Sequence, residues 1–251
     1  MTTQPGPAGA MQVVLVHGSL DRSSAFARVV RHLTDHPVVR YDRRGYGRSL
    51  AAGPCTAFDD QVEDLRSVVG DQRSILVGHS LGGVVALALA GARPDLVGAV
   101  VAYEAPMPWT DWWPRQTAGA AAMFADADPA AAAESFMRRM VGDERWEALP
   151  AKTQDQRRAE GVALVAELRS IRPPQPPPYD AEALAMPIVA AHGTESRPHH
   201  IDTARLLASR APQGELHVVE GAGHGVHLTH PQALAALATR AAALAGSAPT
   251  A

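Results

Sequence analysis

Short apolar runs of strand length alternate with longer stretches of helical spacing along most of this chain, and no other feature restricts its fold as strongly. The strand candidates are "MQVVLVHG", "HPVVRYD", "SILVGHS", "VGAVVAYE", "MPIVAAHG" and "ELHVVEG", rich in Val or Ile and mostly ending in Gly or a polar residue. Between them, "SSAFARVVRHLTD", "FDDQVEDLRSVVG", "LGGVVALALAGARP", "HIDTARLLASRAP" and "PQALAALATRAAALAG" carry helical spacing, with Ser, Asp or Pro near their starts and Gly or Pro near their ends. Strands separated by helices cannot be joined by tight hairpins, so they lie parallel, and near-continuous apolar runs suit strands covered on both faces. The expected fold class is α/β, a mostly parallel central sheet of about six strands flanked by helices. In such a sheet, function collects at the carboxyl ends of the strands.

The alternation breaks once. From Pro106 to about Ala185 no convincing strand occurs; the segment is Ala-rich and helical and closes with the stiff "RPPQPPPY". An inserted helical cap over 106–185 is expected, leaving 11–105 and 186–246 as the core and 1–10 and 247–251 as flexible ends. The Pro-rich tract reads as an internal spacer, with a ligand for an SH3-like partner as the alternative. A chain of 251 residues, 46% hydrophobic and 20% charged, is long enough for one large domain with such an insertion. Its formal net charge of -3 offers no basic excess for phosphates or anionic lipid. Nucleic-acid and membrane partners are therefore not expected, and a small neutral or weakly charged substrate is. No apolar run approaches bilayer length and the first residues lack a basic start and apolar core, so a cytoplasmic location is the expectation. Cys55 is the only cysteine, which excludes an intrachain disulfide and a thiolate-rich metal site, and no motif around it suggests a nucleophile.

The chemistry-bearing residues fall at strand ends. In "ILVGHSLGG", Gly78-His79-Ser80-Leu81-Gly82 stands between a strand and a helix, and small residues flanking Ser80 allow a sharp turn that exposes its hydroxyl. The helix beginning at Leu81 adds free N–H groups and a dipole that favour developing negative charge. As an isolated pentapeptide the same residues are also compatible with a plain Gly-rich turn. In "VVLVHGSLDRSS" the loop after the first clear strand supplies a second oxyanion donor, with the N–H groups of Ser19 and Leu81 as the expected pair and Leu20 as the fallback for Ser19. His17 is expected to be structural. In "VVEGAGHGVHLTHP", His224 follows the last strand and is the expected general base, while His227 and His230 read as helix-cap or surface residues rather than metal ligands.

"HGS", "DRRGYGRS", "GHSLGG" and "GAGH", in this order and joined by matching strands and helices, resemble the α/β-hydrolase family over nearly the whole chain. The resemblance implies an eight-stranded sheet in its standard form; only about ten residues precede Met11, too few for the usual opening pair of strands, hence about six. It also implies a nucleophile, base and acid working together. In the common family pattern the acid stands three residues after the glycine that ends the penultimate strand, and here Gly193 leads to Ser196, which carries no charge. Glu104 ends the strand after the nucleophile helix, where the haloalkane dehalogenase branch of the fold often places its acid. Glu195, beside Ser196, is the alternative, and a dyad without an acid is the third. "YDRRGYGRS", with Asp42, Arg43 and Arg44, looks like a salt-bridged structural turn. His199 and His200 start a predicted helix and are expected to be exposed.

Trp109, Trp112, Trp113, Met123, Phe124 and Met137 concentrate in the insertion. They suit either an apolar substrate pocket or the cap's own core. The leading expectation is a serine hydrolase without cofactor or metal that cleaves a small carboxylic ester, thioester or lactone, with Ser80, His224 and Glu104 as its catalytic residues. Hydrolysis of a C–C bond in a β-diketone-like compound and a non-catalytic small-molecule binding protein are the alternatives.

Overall fold

The structure, a computed structural model, describes residues 1–124 and 128–247, with Phe124 described in its backbone only. Seven strands, β1 (Thr2–Gln4), β2 (Gln12–Val16), β3 (Val38–Arg40), β4 (Ser74–His79), β5 (Val97–Tyr103), β6 (Ile188–Gly193) and β7 (Gly214–Val219), form one sheet in the order β1-β3-β2-β4-β5-β6-β7. The six expected strands are β2 to β7, all parallel. The expectation of about six strands and a loose N-terminus needs correction, because Thr2–Gln4 pairs antiparallel with β3, Thr2 opposite Arg40. The outer edge of β3 presents unpaired backbone groups that any short extended segment can satisfy, and three residues are too few to show a period.

Alternation along the strands sends side chains to two cores. Val14 and Val16 of β2 join Leu76 of β4 and Val100 of β5 on the face covered by α2 (Asp59–Val69), α3 (Leu81–Ala92) and α9 (Pro198–Arg210). Val13 and Leu15 join Ile75, Val77 and Val101 on the opposite face, under α1 (Ala27–Val30), α10 (Val226–Thr229) and α11 (Pro231–Ser247). Ten of the twelve residues of α3 are buried, as expected of a helix apolar on every side. Ser247 ends α11, and residues 248–251 lie outside the described residues. No described helix is long and apolar enough to cross a membrane.

Between Pro106 and Ala185 the described residues hold no strand but five α-helices, α4 (Ala118–Phe124), α5 (Pro129–Val141), α6 (Asp143–Glu147), α7 (Ala151–Ala159) and α8 (Gly161–Ser170), and a short 3-10 turn at Ala181–Ala183. Asp128 caps α5 by accepting the Ala130 N–H, with Pro129 in the first turn where its missing N–H costs nothing. Helices α4, α5 and α8 share a small core in which Ala132, Ala133, Leu164 and Leu168 meet Leu20 and Tyr46.

The "YDRRGYGRS" turn fastens this layer to the sheet. Arg43 is fully buried and donates from Nη1 to Glu167 of α8 (2.8 Å) and from Nε to the His17 carbonyl (2.8 Å). Tyr46 donates its hydroxyl to the other Glu167 oxygen at 2.6 Å. Arg44 forms a two-pronged pair with Asp64 at 2.6 and 2.8 Å. Burial alone would raise the Asp42 carboxyl, but hydrogen bonds from Ser23 and the Arg48 N–H outweigh it and hold the group at about 2. Asp42, Arg43 and Arg44 therefore serve structure.

Candidate active site

Ser80 alone makes the turn between β4 and α3, at φ 53° and ψ -128°, a conformation that a non-glycine residue adopts only when its surroundings impose it. Its N–H donates to the Tyr103 carbonyl and its own carbonyl accepts the Gly83 N–H, both at 2.8 Å. The flanking glycines are required by close approach. A Cβ on Gly78 would lie 2.4 Å from Gly83 Cα, and one on Gly82 would lie 2.2 Å from the Val16 carbonyl oxygen. The turn therefore presses the elbow against both β2 and the first turn of α3. Ser80 is left at the mouth of that helix, where the first N–H groups have no acceptor within the helix.

Glu104, the residue after β5, also takes a positive φ, 48°. Its N–H donates to the Ala191 carbonyl (2.9 Å) and its side chain is fully buried. One carboxylate oxygen faces His224 Nδ1 at 2.6 Å; the other accepts the hydroxyl of Ser196. Ser196 Oγ in turn accepts the Gly193 N–H at 2.7 Å. The serine at the usual acid position thus supports a carboxylate delivered from the neighbouring strand. Burial would raise the Glu104 carboxyl, but the hydrogen bonds from His224 and Ser196 and the nearby imidazole charge hold it below its ordinary value. A carboxylate only accepts, so Nδ1 of His224 carries the proton and Nε2 is free to act as a base. The loop itself is fixed by two donors, His79 Nε2 to the His224 carbonyl (2.6 Å) and the Tyr103 hydroxyl to the Gly223 carbonyl (3.0 Å).

Ser80, His224, Ser19 and Leu81 all line one cavity of about 250 Å³ beneath the cap helices. No hydrogen bond joins Ser80 to His224 among the described residues; such contacts commonly tighten only around substrate. Glu195 also lines the cavity, but it bonds to the loop through its backbone, N–H to the Ala222 carbonyl at 2.9 Å, and no side-chain hydrogen bond links it to His224. Leu20 is buried in the cap core and does not line the cavity. Of the aromatic candidates whose side chains are described, only Trp113 lines the cavity. Trp109 packs edge-on against Tyr179 (5.5 Å) beside the main core, and Trp112 is 44% exposed. Met123 and Met137 pack into the cap core, and the Phe124 side chain lies outside the described residues.

His199 and His200 correct the expectation of exposure. Both line the cavity, and His200 stacks on His224 with ring centres 4.8 Å apart, its Nε2 3.9 Å from Glu104. The start of α9 lies at the carboxyl end of β6 and under the cap, and that covering is what removes them from solvent. His227 is buried, with Nε2 3.2 Å from Asp21, while His230 bonds to Thr229 at 2.9 Å. His17 accepts the Arg43 N–H at Nε2 (2.9 Å) with Nδ1 2.8 Å from the Gly18 carbonyl, a structural role. Asp21, His79 and His227, and Glu104, His200 and His224, are the two described groups whose ligand-type atoms lie within 4.8 Å of one another. In each group one such contact is the carboxylate–imidazole pair already described.

These buried imidazoles set a pH dependence of stability. Burial, aided by Arg43, lowers His17 to about 4, and burial pushes His79 and His200 well below the ordinary imidazole range. Burial acts oppositely on Glu160, raising it to about 7. Unfolding therefore binds protons at these imidazoles against one released from Glu160, so stability rises with pH between roughly pH 5 and 6.5. The lowered carboxylates Glu104 and Asp42 add to the loss as pH falls below the ordinary carboxyl range. Urea midpoints measured from pH 5 to 8 should climb steeply and level off above neutrality; a flat profile would contradict this assignment.

The profile of the Alpha/beta hydrolase family matches residues 13–237. The chain is 29% identical to the esterase YbfF of Escherichia coli over 248 residues, covering 88% of this chain and 89% of that protein. It is 40% identical to the lipase LipV of Mycobacterium tuberculosis over 99 residues, a match that spans only 38% of each chain. Among solved structures, MenH from S. aureus superposes with a TM-score of 0.76 over 98% of both chains at 16% identity, a likeness of fold alone. With the family profile matching residues 13–237, nearly all of the sheet together with the Ser80 turn and the His224 loop, the chain belongs to the alpha/beta hydrolase family.

Proposed function

We propose that this hydrolase cleaves a small carboxylic ester, thioester or lactone through an acyl-enzyme formed on Ser80. The observation that carries this reading is the convergence on one cavity of a serine held at φ 53° and a histidine whose far nitrogen is bound to a buried carboxylate at 2.6 Å. His224 Nε2 takes the Ser80 proton as Oγ attacks the carbonyl carbon, and Glu104 stabilises the imidazolium that results. The N–H groups of Leu81 and Ser19 hold the oxyanion, and their positions on the cavity wall support that assignment. The imidazolium then protonates the leaving group, and water repeats the cycle on the acyl-serine. The names of the relatives, an esterase and a lipase, favour a carboxylic ester.

Intact mass after exposure to a fluorophosphonate tests this directly. Wild type should gain a single adduct that Ser80→Ala lacks, and the same wild-type sample should release 4-nitrophenol from 4-nitrophenyl butyrate. A folded wild type that takes no adduct would defeat the proposal.

A further inference from the structure

We propose that the substrate carries an oxyanion group, a carboxylate or a phosphate, received by Arg172 within the cavity with Arg139 and Arg197 at its rim. This rests on the assignment of the cavity as the site of ester cleavage. Several arginines elsewhere in the chain are paired with carboxylates, among them Arg43 with Glu167, Arg44 with Asp64, and Arg138 and Arg158 with Glu134. Others, such as Arg31, Arg73 and Arg205, form no ion pair among the described residues, so what sets the cavity arginines apart is their shared position. The three arginines that line the cavity form no such ion pair among the described residues, and Glu195 is the one acidic side chain lining it with them. The net charge of -3 describes the whole surface, whereas this cavity is locally cationic.

Arg172 lies just past α8, half-buried, with its Nε enclosed and without a hydrogen-bond partner among the described residues. Burial lowers its ordinary value. A desolvated guanidinium with an unsatisfied N–H is unfavourable alone, and an oxyanion that accepts two parallel hydrogen bonds is the ligand that matches its planar fork. Arg139 from α5 and Arg197 before α9 are exposed and are brought together where Arg197 Nη2 donates to the Arg139 carbonyl at 3.3 Å. They add positive potential at the mouth that draws an anion inward. Phe136, Leu168 and Ile171 line the same cavity as Arg172 and Ser80, which suits an apolar spacer between the reacting carbonyl and the anionic group.

Two matched pairs of probes separate the sources of the anion. Mono-4-nitrophenyl glutarate is compared with 4-nitrophenyl valerate, and 4-nitrophenyl 4-(phosphonooxy)butyrate with 4-nitrophenyl 4-methoxybutyrate. In wild type the anionic member of one pair should have the higher kcat/KM, by roughly 10- to 100-fold. A preference in the first pair identifies a carboxylate, and one in the second a phosphate. In Arg172→Gln and in Arg172→Met, which keeps an apolar stem, the ratio within that pair should fall toward one. Equal rates within both pairs in wild type would overturn the inference while leaving ester cleavage standing. Should no probe turn over, calorimetry of glutarate and of 4-(phosphonooxy)butyrate on Ser80→Ala decides it independently. Binding that Arg172→Gln abolishes supports the subsite, and no binding of either overturns it.

Discussion

Glutamine in place of Glu104 is expected to leave the protein folded and to lower kcat for ester hydrolysis by about 10³- to 10⁴-fold. The amide has nearly the shape of the carboxylate, so the buried space stays filled, but it supplies no charge opposite the imidazolium. If its NH₂ turns toward His224, the imidazole must accept at Nδ1, which puts the proton on Nε2 and removes the base. KM should move little, because Glu104 does not line the cavity. The same substitution at Glu195 discriminates the two acids offered by the sequence. Glu195 has no side-chain hydrogen bond to His224, so Glu195→Gln should stay within a few-fold of wild type. Steady-state kinetics on both variants with one neutral ester, alongside circular dichroism, makes the comparison. Near-normal turnover in Glu104→Gln together with a collapse in Glu195→Gln would transfer the acid role to Glu195.

What the sequence makes legible here is what the backbone decides locally. Gly78 and Gly82 flank Ser80 because no Cβ fits there, so the elbow shows as a short motif. The buried strands β4 and β5 show as unbroken apolar runs because helices cover both faces. Ser196 is informative in a less direct way. Its hydroxyl marks the place of a missing charge, and the strand next to β6 in the sheet is β5, whose end carries Glu104. Features that depend on how distant segments meet are not legible in the same way. β1 is too short to carry a period. Trp109, Trp112 and Trp113 stand within five residues of one another in a non-helical turn, and only the cap's final path determines that Trp113 alone faces the cavity. His200 reads as a helix-start residue, and the cap above it turns it into a neighbour of His224. Arg139, Arg172 and Arg197 come from three separate places in the chain, so their common cavity has no sequence signature.

The cap's attachment yields the second large effect, because Glu167→Ala is expected to destabilise the protein by about 3 to 5 kcal/mol. Arg43 and Glu167 are both fully buried, and Glu167 also accepts the Tyr46 hydroxyl. Truncation would leave a guanidinium and a phenol in the interior without their acceptor, whereas Arg43→Met combined with Glu167→Leu removes the charges together. The double variant should therefore be more stable than Glu167→Ala, even though it changes two core residues. Urea unfolding of the three proteins measures this. A loss below about 1 kcal/mol in Glu167→Ala would mean that the pair does not hold the cap. The consequence for catalysis follows from position. Leu168, Ile171 and Arg172 line the cavity immediately after Glu167, while Arg43 holds the His17 carbonyl two residues before Ser19. One ion pair thus fixes both the wall that would select the substrate and the loop that would hold its oxyanion. Glu167→Ala should accordingly raise KM and lower kcat together at temperatures where the variant is still folded, a pattern that simple global unfolding would not give.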